Sequence, residues 1–172
     1  AFGTGGNVTL TTGNTVNEGI YIQQLSDGSY VVIGNTEAGI GKQSDLYINT
    51  ISSAGVQSAS SVTMGDSGPD KVSCVRQTND GGFVITGNKF NSTSKNDIWV
   101  VKLSPALSTE WDFSYGGGKD DFGNSINQTD DGGYVITGNT MSYGNQSQIV
   151  LLKISASGMT ENLIGQLSSS GE

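Results

Sequence analysis

The sequence predicts an all-β fold made of three repeated four-stranded units, and three observations carry that expectation. The first is a recurring motif: Asp27-Gly-Ser-Tyr-Val-Val-Ile-Gly-Asn35, Asp80-Gly-Gly-Phe-Val-Ile-Thr-Gly-Asn88 and Asp131-Gly-Gly-Tyr-Val-Ile-Thr-Gly-Asn139, at offsets of 53 and 51 residues. Self-similarity at such a period marks a repeat architecture, in which each unit buries its apolar face against its neighbours. The second is composition: 26 Gly, only 2 Pro and 14% charged residues, with many Ser, Thr and Asn, so that turn formers outweigh helix formers. The third is the placing of short apolar segments between Asp-Gly and Gly-Gly turn signals.

At 172 residues the chain is long enough for one domain with a real core. A net charge of −8, with 8 Lys plus Arg and no His, leaves little to neutralise a phosphate backbone or an anionic membrane surface. Nucleic acid is therefore not an expected partner. No window approaches the ~18 apolar residues of a membrane span, so membrane insertion is not expected either. Cys74 is alone, which rules out an intrachain disulfide or a cysteine-based zinc site, and its place in Val72-Ser-Cys-Val75 suits core packing. The sequence starts at Ala1 without Met and shows no signal peptide, as a mature product would. Asn7, Asn91, Asn127 and Asn145 each open an Asn-X-Ser/Thr sequon. With the low charge and the unpaired Cys, they point to an extracellular or cell-surface setting.

In chain order, residues 1–13 combine Gly3, Gly5 and Gly6 with an alternation of Val8 and Leu10 against Thr9 and Thr11, which predicts an extra N-terminal strand. Repeats are expected over 14–64, 65–115 and 116–167, with a tail at 168–172. Each opens with a first strand: Glu18-Gly-Ile-Tyr-Ile-Gln-Gln24, Lys71-Val-Ser-Cys-Val-Arg-Gln77 or Phe122-Gly-Asn-Ser-Ile-Asn-Gln128. The Asp-Gly turn supplies the positive φ of a tight hairpin into the second strand, whose apolar residues occupy both faces, as between stacked sheets. A polar loop leads to the third strand: Asp45-Leu-Tyr-Ile-Asn-Thr-Ile51, Asp97-Ile-Trp-Val-Val-Lys-Leu103 or Gln148-Ile-Val-Leu-Leu-Lys-Ile154. Residues 56–64, 107–115 and 159–167 supply a fourth. In the middle copy Trp111, Phe113 and Tyr115 alternate with Asp112 and Ser114, as on a strand with one covered face. Four meandering strands in about 51 residues suit one blade of a β-propeller. A β-trefoil is the alternative, also threefold with four strands per unit.

The blocks Tyr115-Gly-Gly-Gly-Lys-Asp-Asp121, Ser125-Ile-Asn-Gln-Thr-Asp-Asp-Gly-Gly-Tyr-Val-Ile-Thr-Gly138 and Asp97-Ile-Trp-Val-Val-Lys-Leu103 carry a resemblance to secreted bacterial and archaeal β-propeller repeat proteins. It covers roughly residues 18–167 and implies propeller-type blades; it implies no activity, since a fold does not fix one. The first copy departs most, with Ser29 for Gly and Asn49-Thr50 where Val101-Lys102 stand. Known propellers usually have about 4 to 8 blades. Three blades are too few to close a ring comfortably, so the chain is expected to be a piece of a longer propeller, to complete a ring with copies of itself, or to stack openly. The surplus strand at Val8 and Leu10, and Leu163 and Leu167 near the other end, are the candidate self-association residues, by strand addition to a neighbouring subunit.

With no His, no ordinary Ser/His or Cys/His catalytic arrangement exists, and an enzyme is not expected. Asp130-Asp131 falls in the hairpin turn that Asp27 and Asp80 also occupy. Asp66, Asp70, Asp120 and Asp121 lie at equivalent places in successive repeats and are the candidate ligands of a calcium ion, the one cofactor considered. Tyr143, in a polar loop, is the candidate glycan platform, whereas Tyr47, Trp99 and Trp111 suit the core. The expected role is a non-enzymatic structural or adhesive subunit that assembles into a ring or filament, with a glycan-binding module as the alternative.

Overall fold

Each copy of the motif forms the same hairpin in the computed structural model of the chain, which describes residues 2–10, 13, 16–37, 43–66 and 68–160. Strands β1 (Val16–Gln24), β2 (Tyr30–Glu37), β3 (Ser44–Ile51) and β4 (Gln57–Met64) form the first antiparallel sheet, in chain order. The second repeats it with β5 (Lys71–Gln77), β6 (Phe83–Asn91), β7 (Lys95–Leu103) and β8 (Thr109–Tyr115). The third holds β9 (Asp121–Gln128), β10 (Tyr134–Thr140) and β11 (Gln148–Ile154). Among the described residues there is no helix, and no barrel closes, so the closed barrel of a trefoil is not formed.

Glycine does two separate jobs in the motif. Gly28, Gly81 and Gly132 sit at φ of 81–82° in the turns, where a side chain would be strained. Gly34, Gly87 and Gly138, by contrast, face a register shift in the first strand of their own sheet. A Cβ there would run into the carbonyl oxygen of Glu18, Lys71 or Phe122. The bulge and the glycine opposite it are thus one device, repeated three times.

The doubly apolar motif strand follows from the stacking. Val31, Ile33, Leu46 and Ile48 of the first sheet pack against Phe83, Ile85, Trp99 and Val101 of the second. The opposite face of the second sheet, with Val84, Ile98 and Val100, packs against Ile126, Tyr134, Ile136, Leu152 and Ile154 of the third. The middle sheet is therefore buried on both sides, and Cys74 is a buried free thiol in the second of these cores.

One expectation changes. No strand forms at Val8–Leu10; instead Thr4 and Asn7 make an isolated bridge, turned by Gly5 and Gly6 at φ of 64° and 82°. Gly3 N–H donates to the Ala54 carbonyl at 3.0 Å, and the Phe2 ring meets Tyr30 edge-on at 5.4 Å. The successive left-handed glycines curl the segment back onto the first sheet, against the extended path that the Val/Leu alternation suggested. For the fourth strand of the third repeat, Thr160 makes a bridge to Ile154, and Leu163 and Leu167 lie outside the described residues.

Candidate functional site

The two ends of the stack differ from its interior. Asn35, Asn88 and Asn139 pair across their hairpins with Leu46, Ile98 and Ile149, so these three apolar residues are equivalent, as are Ile48, Val100 and Leu151 two places on. Ile98 and Val100 are 3% and 0% exposed because the third sheet covers them, whereas Ile149 and Leu151 are 85% and 65% exposed. The outward face of the third sheet thus keeps an apolar stripe that nothing covers among the described residues. At the first junction Asn35 adds a polar clamp. Its Oδ1 accepts from Val72 N–H at 2.7 Å and its Nδ2 donates to the Val72 carbonyl at 3.2 Å, so the side chain stands in for a strand partner.

The sequence-predicted acidic residues are brought together differently from expectation. Asp70 faces Asp45, and Asp121 faces Asp97, each pair meeting at the glycine that follows a fourth strand. A Cβ on Gly65 would collide with Asp45 Oδ1 and stand 2.9 Å from Asp70 Oδ2. A Cβ on Gly116 would collide with Asp97 Oδ1 and stand 2.6 Å from Asp121 Oδ2. In both, the N–H one residue further on donates to the first-strand carboxylate: Asp66 to Asp70 at 2.8 Å, Gly117 to Asp121 at 2.9 Å. Burial pushes the Asp45 carboxyl up, helped by the Asp70 and Asp66 charges, and burial likewise raises Asp70 against the backbone N–H groups that favour its ionised form. Asp66 and Asp120 point elsewhere. Asp66 lies 3.9 Å from Lys89 Nζ, while Asp120 accepts from the Asn96 side chain at 2.7 Å and from its backbone at 3.2 Å, bonds that hold its carboxyl low. No group of three or more His, Cys, Asp or Glu side chains suited to a metal gathers among the described residues. Asp45 and Asp97 were missed as site residues. Their signal was the repeated Asp at the head of the third strand, replaced by Gln148 in the last copy.

Asp80 and Asp131 serve their turns. Asp80 Oδ1 accepts from Gly82 N–H at 2.8 Å and Asp131 Oδ1 from Gly133 N–H at 2.9 Å, while their other oxygens pair with Lys102 and Lys153, both at 2.8 Å. Lys102 is buried and also lies 3.1 Å from Glu110. Burial alone would lower the Lys102 ammonium; the bonds to Asp80 and Glu110 outweigh it and raise the group. Chiefly through the Lys102 hydrogen bond, Asp80 is lowered to about 2, and Lys153 lowers Asp131 in the same way. A Cβ on Gly82 or Gly133 would meet the Leu103 or Ile154 carbonyl oxygen as well as Lys102 Nζ or Lys153 Nζ, and the first copy has Ser29 and Thr50 at the glycine and lysine places.

Tyr143 is exposed and borders a cleft between the second and third sheets, with Tyr115, Gly116, Asp121 and Thr140. Burial pushes the Tyr115 hydroxyl up to about 12, and that hydroxyl donates to the Gly158 carbonyl at 2.6 Å. Tyr47 and Trp99 are buried, and Trp111 is partly buried, stacked on Phe113 at 5.8 Å. Asn7, Asn91, Asn127 and Asn145 are all exposed, and Val8 is half-buried. In comparisons with protein-family models and with curated proteins, no significant match to this chain is found.

Proposed function

We propose that this protein is a non-enzymatic, extracellular structural or adhesive subunit whose sheets are propeller-type blades and which self-associates into a ring or filament. The observation that carries the reading is the face of the third sheet left uncovered among the described residues, where Ile149 and Leu151 occupy the positions that are buried as Ile98 and Val100 one repeat earlier. A second copy suits this face because the chain already makes the same sheet-on-sheet contact twice, and a heterologous contact of that kind propagates or closes by symmetry. β11, an edge strand among the described residues that is bridged by Thr160 at Ile154, offers a further route, addition of a strand from a neighbouring chain. The extracellular setting rests on the exposed sequons. The test is the mass and shape of the natively isolated species, by light scattering with negative-stain microscopy. Filaments or closed multi-chain rings support the reading, and a stable monomer at high concentration overturns it.

A glycan-binding module is the second reading, favoured by the exposed Tyr143 ring beside the Asp121 cleft. It requires retention on a glycan surface that Tyr143→Ala abolishes.

A further inference from the structure

Of the four buried side-chain polar atoms without a hydrogen-bond partner among the described residues, three belong to the inter-sheet acid pairs: Asp45 Oδ1, Asp97 Oδ1 and Asp121 Oδ1. Leaving a charged acceptor in that state costs more than leaving a neutral one, and native structures resolve such cases with an ion or water. The second junction is the sharper case. Asp97 and Asp121 are 8% and 1% exposed, each has an unpartnered oxygen, and no ion pair among the described residues includes either. Their remaining oxygens are engaged by neutral donors only: Ser94 Oγ to Asp97 at 2.6 Å, and Gly117 N–H and Ser142 Oγ to Asp121 at 2.9 and 2.7 Å. Asp97 Oδ1, itself unpartnered, and Asp121 Oδ2 thus approach each other at the space left by the missing side chain of Gly116, and among the described residues no cation pairs with either carboxylate.

We propose that the Asp97–Asp121 notch binds a hard divalent cation of the calcium type. Calcium takes carboxylate oxygens in a tolerant geometry and accepts water at the positions the protein leaves open. The cleft bordered by Tyr115, Thr140 and Tyr143 leads to Asp121 and gives that water, and the ion, a way in. Two carboxylates without a third place the affinity among the weaker extracellular sites, with Kd ~10⁻⁴–10⁻³ M. The Asp45–Asp70 pair is the weaker candidate, because both Asp70 oxygens already accept backbone N–H groups, from Asp66 and Phe90. The third repeat, with neutral Gln148 in place of Asp97, has no such site. This proposal is independent of self-association.

The experiment is a titration of the full chain with Tb³⁺, exciting indole and reading sensitised emission, followed by displacement with Ca²⁺; Trp99 lies two residues from Asp97. Expected is saturable emission that Ca²⁺ displaces, and a rise in Tm of about 3–6 °C at a tenfold excess of Ca²⁺ over Kd. Asp97→Asn, Asp121→Asn and Gly116→Ala, whose methyl fills the notch, lose most of the emission, while Asp120→Asn keeps it. Absence of emission from the folded wild-type chain overturns the proposal without recourse to any variant. So does emission that survives in a folded Asp97→Asn chain, or a Tm that does not respond to Ca²⁺.

Discussion

Replacing Ile149 and Leu151 together by Asp is the most direct test of how the stack continues. Full burial of an isoleucine or leucine is worth about 1.5–3 kcal/mol. With 85% and 65% of these residues open to solvent, covering them with a second copy would contribute ~2–4 kcal/mol. The double substitution should therefore weaken association by about 30- to 1000-fold, and more where an aspartate is left unpaired in the contact. The subunit itself should survive, since neither side chain packs in its core and the loss of strand propensity is about 1 kcal/mol or less per site. Sedimentation velocity over a concentration series reads the assembly, and thermal unfolding monitored by circular dichroism confirms that the variant is folded. A folded variant that assembles like the wild-type chain refutes the reasoning, because the repeat equivalence would then have identified the wrong face.

Two further predictions concern the interior. Asn35→Ala removes both bonds to Val72 and leaves its buried N–H and carbonyl unpaired, so denaturant unfolding should show a loss of about 1–3 kcal/mol. Lys102→Met keeps the aliphatic stem but deprives the half-exposed Asp80 and Glu110 of their partner, for a loss of about 2 kcal/mol. The same variant should change the acid limb. Asp80 is lowered to about 2, so its contribution is full above the ordinary carboxylate range near ~4 and is lost as pH falls through about 2. In Lys102→Met that fall in stability is shallower, and the Asp80 carboxyl, followed by NMR, returns towards its ordinary value. An Asp80 titration that does not move would show that Lys102 is not what holds it low.

The sequence by itself determined the strands from β1 to β11, their hairpins and their order within each sheet. Asp80-Gly-Gly82 and its copies encode a turn through local backbone and side-chain geometry, which needs no distant partner. A strand apolar on both faces, such as Phe83-Val-Ile85, states in the same local way that something must cover it twice. What came from tertiary structure is everything set by contact between repeats. The partnering of Asp121 with Asp97 rather than Asp120 depends on how β9 seats against the end of β7, and the spacing of acids along the chain cannot report that. Val8 and Leu10 alternate as a strand would, yet left-handed Gly5 and Gly6 turn the segment onto the first sheet, so a local pattern lost to backbone conformation. Ile149 and Ile98 occupy the same place in the repeat, and only the stack decides which is covered, because burial belongs to the neighbour as much as to the residue.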